Sequence, residues 1–474
     1  MIKLTLQTHK NIMIQGIKPG VLLTTLFLIA LTNLNSSKTQ NSTEDSKPNV
    51  LIILTDDQGY HDVSYYGTED LQTPAIDEIA HSGVRLDNFY SNSPVCSPTR
   101  AALMAGQYQD YVGVPGLIRT NRDNSWGFLD PGAALLPEVL QENGYHTALV
   151  GKWNLGLESP NKPNERGFDH FHGWLDDMTE DFWDHSREGI NYMRLNDEEI
   201  EPEGHATDLF TEWAVEYIES RSGTDQPFFL FLSHLAPHFP VQPPEEWLKK
   251  VREREPDLSD TRANLVAFIE HMDDGIGQVL SALRRTGAYE NTLIFFTSDN
   301  GGHEPSEANN GPWRGAKQSV YEGGIRVPTA VSWPVRVEPG GSSDRILLTM
   351  DIFPTVLEAA GIEYDGPLNG ISFLPELLGN SQGKYRDEPL FFTRREGNMR
   401  YGGLTIQAVR KGDWKLVHNS PFAPRELYNL KTDPYEEHDL IDEYPEKVRE
   451  LNQYLMKHLQ KAGRVPWQRP GSKR

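Results

Sequence analysis

A chain of 474 residues, 37% hydrophobic and 10% aromatic, has material for a large core and for more than one domain, and its 40 Gly and 32 Pro point to ordered loops rather than disorder. The net charge of −23 argues against a nucleic-acid partner, whose phosphates it would repel, so any attraction for an anionic substrate must be local to a site. A single cysteine excludes an intrachain disulfide and leaves the compartment to be read from other features.

Lys3, Lys10 and Lys18 precede an apolar run over 21–31 that is too short to span a bilayer comfortably. Residues 1–34 are therefore expected to be a secretory signal, with Met13 as a second candidate start, and an uncleaved anchor is the alternative use of the same run. A cleaved signal implies a secreted or periplasmic protein with no stable membrane insertion. Residues 35–47, rich in Ser, Thr and Asn, read as a polar linker.

The first folded element is the apolar run over 49–55, a strand covered on both faces, and it ends in Asp56-Asp57-Gln58-Gly59. A helix over 73–82 stops at Gly83. Next comes Cys96-Ser97-Pro98-Thr99-Arg100, where Ser97 suits an N-cap, Pro98 the first helical position and Gly106 a stop. The cysteine is thus expected just before a short helix, where free backbone N–H groups favour an oxyanion. On these residues alone, a reactive thiol and a buried structural cysteine both stay open.

A helix over 134–143 leads to a strand over 146–150 and then to Gly151-Lys152-Trp153-Asn154-Leu155-Gly156. After a helix over 208–220, the strand over 227–233 runs into His234-Leu235-Ala236-Pro237-His238. A long helix over 265–286 precedes the strand over 292–297, which runs into Ser298-Asp299-Asn300-Gly301-Gly302. One such turn is unremarkable, but four buried strands that each deliver charged or ligating side chains suggest one functional edge. Gly-rich segments at 313–317 and 322–328 come next, which simple turns would also explain.

Alternating strands and helices imply an α/β fold, a large mostly parallel sheet covered by helices on both faces, over 48–378. Short alternating runs at 390–393, 404–410 and 414–417, closed by a helix over 446–461, imply a smaller C-terminal α+β subdomain with an antiparallel sheet over 379–474.

Asp56, Asp57, Asp299 and Asn300 offer hard oxygen ligands, which favours calcium or magnesium over zinc or copper. Together with Cys-x-Pro-Thr-Arg, the small-residue helix after it and the segments at 426–430 and 433–434, they make the chain from Pro48 onward resemble the formylglycine-dependent sulfatases of the alkaline phosphatase superfamily. The resemblance implies that a formylglycine-generating or sulfatase-maturating enzyme oxidises Cys96 to formylglycine (3-oxoalanine). It further implies a metal held by Asp56, Asp57, the modified Cys96, Asp299 and Asn300. Arg100 would hold formylglycine and sulfate oxygens, Lys152 and Lys317 would bind sulfate, and His238, with or without Lys317, would protonate the departing alcohol. The aldehyde hydrate would attack sulfur, and a base would then expel sulfate and restore the aldehyde.

One position departs from the pattern. The family usually has a histidine where this chain has Asn154, and an asparagine can hydrogen-bond the hydrate but cannot act as the base. His303 and His172 are the candidate substitutes. Trp174, Trp183, His185 and Arg187, with Trp313 and Arg314 beside Lys317, offer aromatic faces and cations suited to a sulfated carbohydrate, although the tryptophans serve packing equally well. Two rivals stand beside a secreted sulfatase of sulfated polysaccharide or oligosaccharide. One is a phosphoester or phosphonate hydrolase of the same superfamily; the other, motivated by Asn154, is a sulfated-glycan-binding protein with impaired turnover.

Overall fold

In a computed structural model of the chain, residues 46–380, 386–396 and 404–469 are described. The expected signal segment, and all but the end of the linker, lie outside the described residues.

The run that begins the folded chain is strand β1 (Asn49–Thr55). Val50 to Leu54 are wholly buried, as expected for a strand whose two faces are both covered. The other strands of its sheet are, in chain order, β2 (Val84–Leu86), β3 (His146–Lys152), β4 (His170–Trp174), β5 (Met193–Leu195), β6 (Glu198–Glu199), β7 (Phe228–Ser233), β8 (Thr292–Ser298), β9 (Thr329–Ser332) and β10 (Gly341–Ser343). They lie in the order β10-β2-β9-β8-β1-β7-β3-β4-β5-β6. The central members β8, β1, β7, β3 and β4 are parallel, while β9 and β5 turn antiparallel towards the edges. The fold is therefore α/β with a mixed, mostly parallel ten-stranded sheet.

Register sets up the functional edge. Thr55 lies opposite Ser298, Leu54 opposite Ser233, and Ser233 opposite Gly151. Parallel neighbours end together, so Asp56-Asp57, Asp299-Asn300, His234 and Lys152 leave the sheet along one line.

Helices α1 (Pro74–His81), α2 (Cys96–Ala105), α3 (Leu136–Glu142), α4 (Ala206–Ser220), α5 (Asp260–Arg285) and α6 (Ile352–Ala359) supply the cover. α5 packs against α1 and α4, while α2 packs against α3 and α6. α5 starts earlier than its apolar stripe suggests, because Ser259 caps it by accepting the Arg262 N–H. α2 corrects the expected capping. It begins at Cys96 with Val95 at the N-cap, and the Ser97 hydroxyl makes tertiary bonds instead. Gly106 stops α2 at φ 61°, the left-handed conformation in which glycine meets no Cβ clash.

Beyond α6, the chain forms a four-stranded antiparallel sheet of β11 (Leu390–Arg395), β12 (Thr405–Lys411), β13 (Trp414–His418) and β14 (Glu426–Asn429), covered by α7 (Pro445–Ala462). β14 comes after a loop and is too short to declare itself by alternation. Buried ion pairs tie this sheet to the Gly-rich segment. Lys415 Nζ lies 2.8 Å from Glu322 and 2.9 Å from Glu436, and Glu322 also takes Arg326 at 2.7 Å and the Tyr90 hydroxyl at 2.7 Å. The segment so held presses against the loop after β8: Gly301 N–H donates to the Gly324 carbonyl at 3.0 Å. A Cβ on Gly301 would meet the Gly323 carbonyl oxygen at 2.0 Å, so close approach, and not a turn, demands this glycine.

Two alanine substitutions should therefore differ in sign. Gly301→Ala is expected to cost about 1–3 kcal/mol in urea unfolding. Gly277→Ala, in α5 and with only Ala75 Cβ at 3.5 Å, should be neutral or stabilising by up to about 1 kcal/mol.

Candidate active site

Cys96 opens α2 and is buried, with Sγ 3.3 Å from Asp56 Oδ1. Ligand atoms of Asp56, Asp57, Cys96 and His238 all lie within 4.8 Å of one another. Strand ends and one helix start thus converge on a single point.

Cations hold the carboxylates. Lys152 Nζ meets Asp56 Oδ2 at 2.5 Å, and Lys317 Nζ meets Asp57 Oδ2 at 2.6 Å. Arg100 reaches Asp299 Oδ2 through Nε at 3.1 Å and Nη2 at 2.9 Å, while its Nη1 donates to Ser233 Oγ at 2.5 Å and to the Lys152 carbonyl at 3.3 Å. Asp299 Oδ1 accepts the Asp57 N–H at 3.3 Å. Asp57 itself sits at φ 65°, a left-handed conformation that a non-glycine residue keeps only when its surroundings hold it there. Asn300 Nδ2 donates to Asp57 Oδ1 at 2.8 Å. Lys317 is fixed from behind by its own N–H on the Gly302 carbonyl at 3.0 Å.

Burial opposes ionisation of Asp56, but Lys152, His238, Arg100 and Lys317 outweigh it and hold the carboxyl well below the usual range. Burial and the nearby Asp56 push Asp299 up to about 6, against the pull of Arg100. Burial raises the Cys96 thiol, as do Asp299 and Asp56, which disfavours the thiolate. His238 is lowered to about 4 by burial and then by Lys317. One of its ring nitrogens, Nδ1, is committed to the Phe239 carbonyl at 2.5 Å, which leaves Nε2 facing Asp57 at 3.5 Å.

The donor set fits a hard divalent cation. It consists of buried carboxylates that repel one another, and Asn300 Oδ1 is a buried oxygen with no hydrogen-bond partner among the described residues.

Asn154 is held by hydrogen bonds at both ends of its amide. Its Oδ1 accepts the Ser97 hydroxyl at 2.8 Å and its Nδ2 donates to the Ile118 carbonyl at 3.0 Å, while Ser97 Oγ accepts the Ile118 N–H at 3.0 Å. The amide is a strut behind α2, at φ 55°, a conformation that asparagine tolerates. Of the two histidines considered in its place, His172 stacks on Trp213 at 3.5 Å, in a groove shared with His146 and His170. His303 stacks on Phe239 at 4.8 Å, and Phe239 in turn stacks on His238 at 4.4 Å, so His303 is the one beside the cluster.

The expected sugar-facing residues divide. Trp174 is wholly buried against Tyr192, so it belongs to the core. Trp183 is 49% exposed. His185 is buried, and Arg187 pairs with Asp177 at 3.3 Å and Glu180 at 3.2 Å. Trp313 packs under the Arg326 guanidinium at 4.1 Å. Arg314 is committed to the C-terminal sheet, with Nη1 on the Tyr428 hydroxyl at 2.6 Å and the guanidinium over Tyr321 at 3.9 Å. Ser233 and Ser97 were not foreseen. Single serines beside a strand end and a helix start carry no spacing signal of their own.

The sequence profile described as Sulfatase matches residues 48–362, and that described as N-sulphoglucosamine sulphohydrolase, C-terminal, matches 313–464. The chain is 30% identical to arylsulfatase J of Mus musculus over 86% of its own length and 75% of that protein. It is 32% identical to N-acetylgalactosamine-6-sulfatase of the same species, over 78% and 71% respectively. Among solved structures, Ps i-CgsB in complex with k-i-k-neocarrahexaose has a TM-score of 0.81 at 28% identity, covering 90% of this chain and 96% of that one.

Removing the strut should be costly. Asn154→Ala leaves Ser97 and Ile118 groups buried without partners, and a loss of about 2 kcal/mol or more in urea unfolding is expected.

Proposed function

The chain belongs to the sulfatase family and is a sulfuric ester hydrolase, and from that premise we propose that it acts on a sulfated carbohydrate through a formylglycine made from Cys96. The observation that carries this is the convergence of Cys96, Asp56, Asp57 and His238 within 4.8 Å, ringed by Arg100, Lys152 and Lys317. A related structure in complex with a neocarrahexaose and relatives named N-acetylgalactosamine-6-sulfatase support a sugar ester. The basic and apolar N-terminal segment supports export to the periplasm or beyond, where sulfated polysaccharides are met. Conversion of Cys96 calls for a formylglycine-generating or sulfatase-maturating enzyme as a partner.

Asp56, Asp57, Asp299 and Asn300, with the modified residue 96, would hold a calcium ion, or magnesium in its place. When bound, such an ion would supply Lewis-acid positive charge to the oxygens gathered there. The hydrated aldehyde supplies an oxygen nucleophile for sulfur and a second hydroxyl whose deprotonation restores the aldehyde as sulfate departs with the first oxygen.

The chain's own groups do the rest. Lys152 and Lys317, which neutralise Asp56 and Asp57 in the structure described, are the ammonium groups that would meet the sulfate oxygens. Arg100 keeps Asp299 in place and adds a planar cation beside Asp56. Burial and Lys317 keep His238 neutral before substrate arrives. An entering sulfate ester carries negative charge and favours the protonated imidazole, whose Nε2–H then goes to the departing alcohol oxygen. Asn154, locked between Ser97 and Ile118, takes no part in proton transfer. Of the two candidate bases, His303 is the one beside the cluster, its ring stacked on Phe239 next to His238, and the last proton is assigned to it on that ground.

Two results are expected. Cys96→Ala should lower sulfate release from aryl and sugar sulfates by at least about a thousandfold, as measured by ion chromatography, with the unfolding midpoint retained. Chelation should remove activity and lower the melting temperature, and calcium should restore both.

A further inference from the structure

Beside Asn154, the chain builds a charged cluster that the sulfate chemistry does not use. The Asn154 N–H donates to the Leu175 carbonyl at 3.0 Å, and Asn154 Nδ2 holds the Ile118 carbonyl, so the next residues along, Asp176 and Arg119, start from the same strut. Leu117 packs with Val95 and Cys96. From Leu175 the loop runs to Asp181 and Phe182, both tied to Gln242 at 3.0 and 2.8 Å, four residues past His238. It therefore borders the site from the Asn154 side to the His238 side.

Asp177 is its centre, with Arg187 Nε 3.3 Å from Oδ1 and Arg119 Nε 3.6 Å from Oδ2. Arg187 also pairs with Glu180 at 3.2 Å, and Arg119 with Glu396, brought in from the C-terminal sheet, at 2.8 Å. Asp176 is bonded to the Thr120 hydroxyl through Oδ2, while its Oδ1 is buried with no hydrogen-bond partner among the described residues. A buried carboxyl oxygen left open is costly unless something that is not part of the chain fills it.

The charges decide what that is. Both guanidinium groups already face two carboxylates each, and a further anion would also approach Asp176 and Asp177, while Arg187 Nε and Asp177 Oδ1, though 3.3 Å apart, leave a donor and an acceptor without hydrogen bonds among the described residues. A sugar hydroxyl both donates and accepts, and suits fixed carboxylate and guanidinium edges. We propose that the Arg119–Asp177–Arg187 cluster, with the open oxygen of Asp176, is the sugar subsite. It reads neutral hydroxyls on the residue that carries the scissile sulfate, and it rejects a second sulfate or a carboxylate on that residue. This rests on the reading of the chain as a carbohydrate sulfatase, and it replaces the expectation that these cations meet further anionic groups of the substrate.

The test uses aldehyde-bearing enzyme, confirmed by peptide mass, with nitrophenyl sulfate and matched mono- and disulfated forms of N-acetylgalactosamine and of glucosamine as substrates. Expected is a preference of about tenfold or more in kcat/KM for the monosulfated sugar. Asp177→Asn should cut kcat/KM for that sugar about tenfold to a hundredfold, mainly through KM, and at least tenfold more than for nitrophenyl sulfate, with partial recovery in Asp177→Glu. The common aryl substrate cancels any loss of folded enzyme. Equal losses on both substrates, or a preference for the disulfated sugar, would overturn the subsite. So would turnover of nitrophenyl sulfate with no sugar hydrolysed. Enzyme with the aldehyde but inert to every ester would overturn the parent reading, and the subsite with it.

Discussion

Three aspartates, Asp56, Asp57 and Asp299, are crowded at the carboxyl ends of the parallel strands of one sheet and shielded from water, and much of the surrounding structure answers that crowding. Carboxylates so close and so buried cannot all be ionised without compensation. The chain provides it in layers. Lys152 comes from the next strand but one, Arg100 from the helix that starts at Cys96, and Lys317 from the loop beyond β8. A divalent cation would complete the compensation and free the lysines for a substrate anion. The electrostatic problem and the catalytic design are thus the same feature.

This arrangement depends on elements far apart in the chain. The parallel register brings strand ends to one line, but Lys317 is positioned only because the Gly-rich segment presses against Gly301 and Gly302. That segment is held by Glu322 on Lys415 of the C-terminal sheet. The smaller sheet therefore supports the site mechanically, and through Glu396 it reaches Arg119 as well. On the other side, Asn154 braces the start of α2. Its amide holds Ser97 and Ile118.

Much of this was legible in the sequence because buried parallel strands are continuous apolar runs, and the residues just past the end of such a run lie at the functional edge. Asp56-Asp57, Lys152, His238 and Asp299-Asn300 could all be read that way. The short strands β2, β5, β6 and β10 towards the edges could not, since two or three residues leave no periodicity to see. Ser97 looked like a cap because its residue type suits one, but a tertiary bond to Asn154 outcompeted the local one. Trp174 and Arg314 sat in stretches rich in aromatics and charge, and only tertiary packing separates a core tryptophan from an exposed one, or an arginine committed to Tyr428 from one facing a substrate. The Asp177 cluster joins separate chain segments, and no spacing within any one of them announces it.

The most direct measurement is the aldehyde content of residue 96, read by peptide mass spectrometry in preparations made with graded amounts of a sulfatase-maturating enzyme, alongside sulfate release by each. Activity that rises in proportion to aldehyde content and extrapolates to zero at none is the expected result. Activity independent of aldehyde content, or full aldehyde with no hydrolysis of any sulfate ester, would contradict the role assigned to Cys96 and the carboxylate cluster around it.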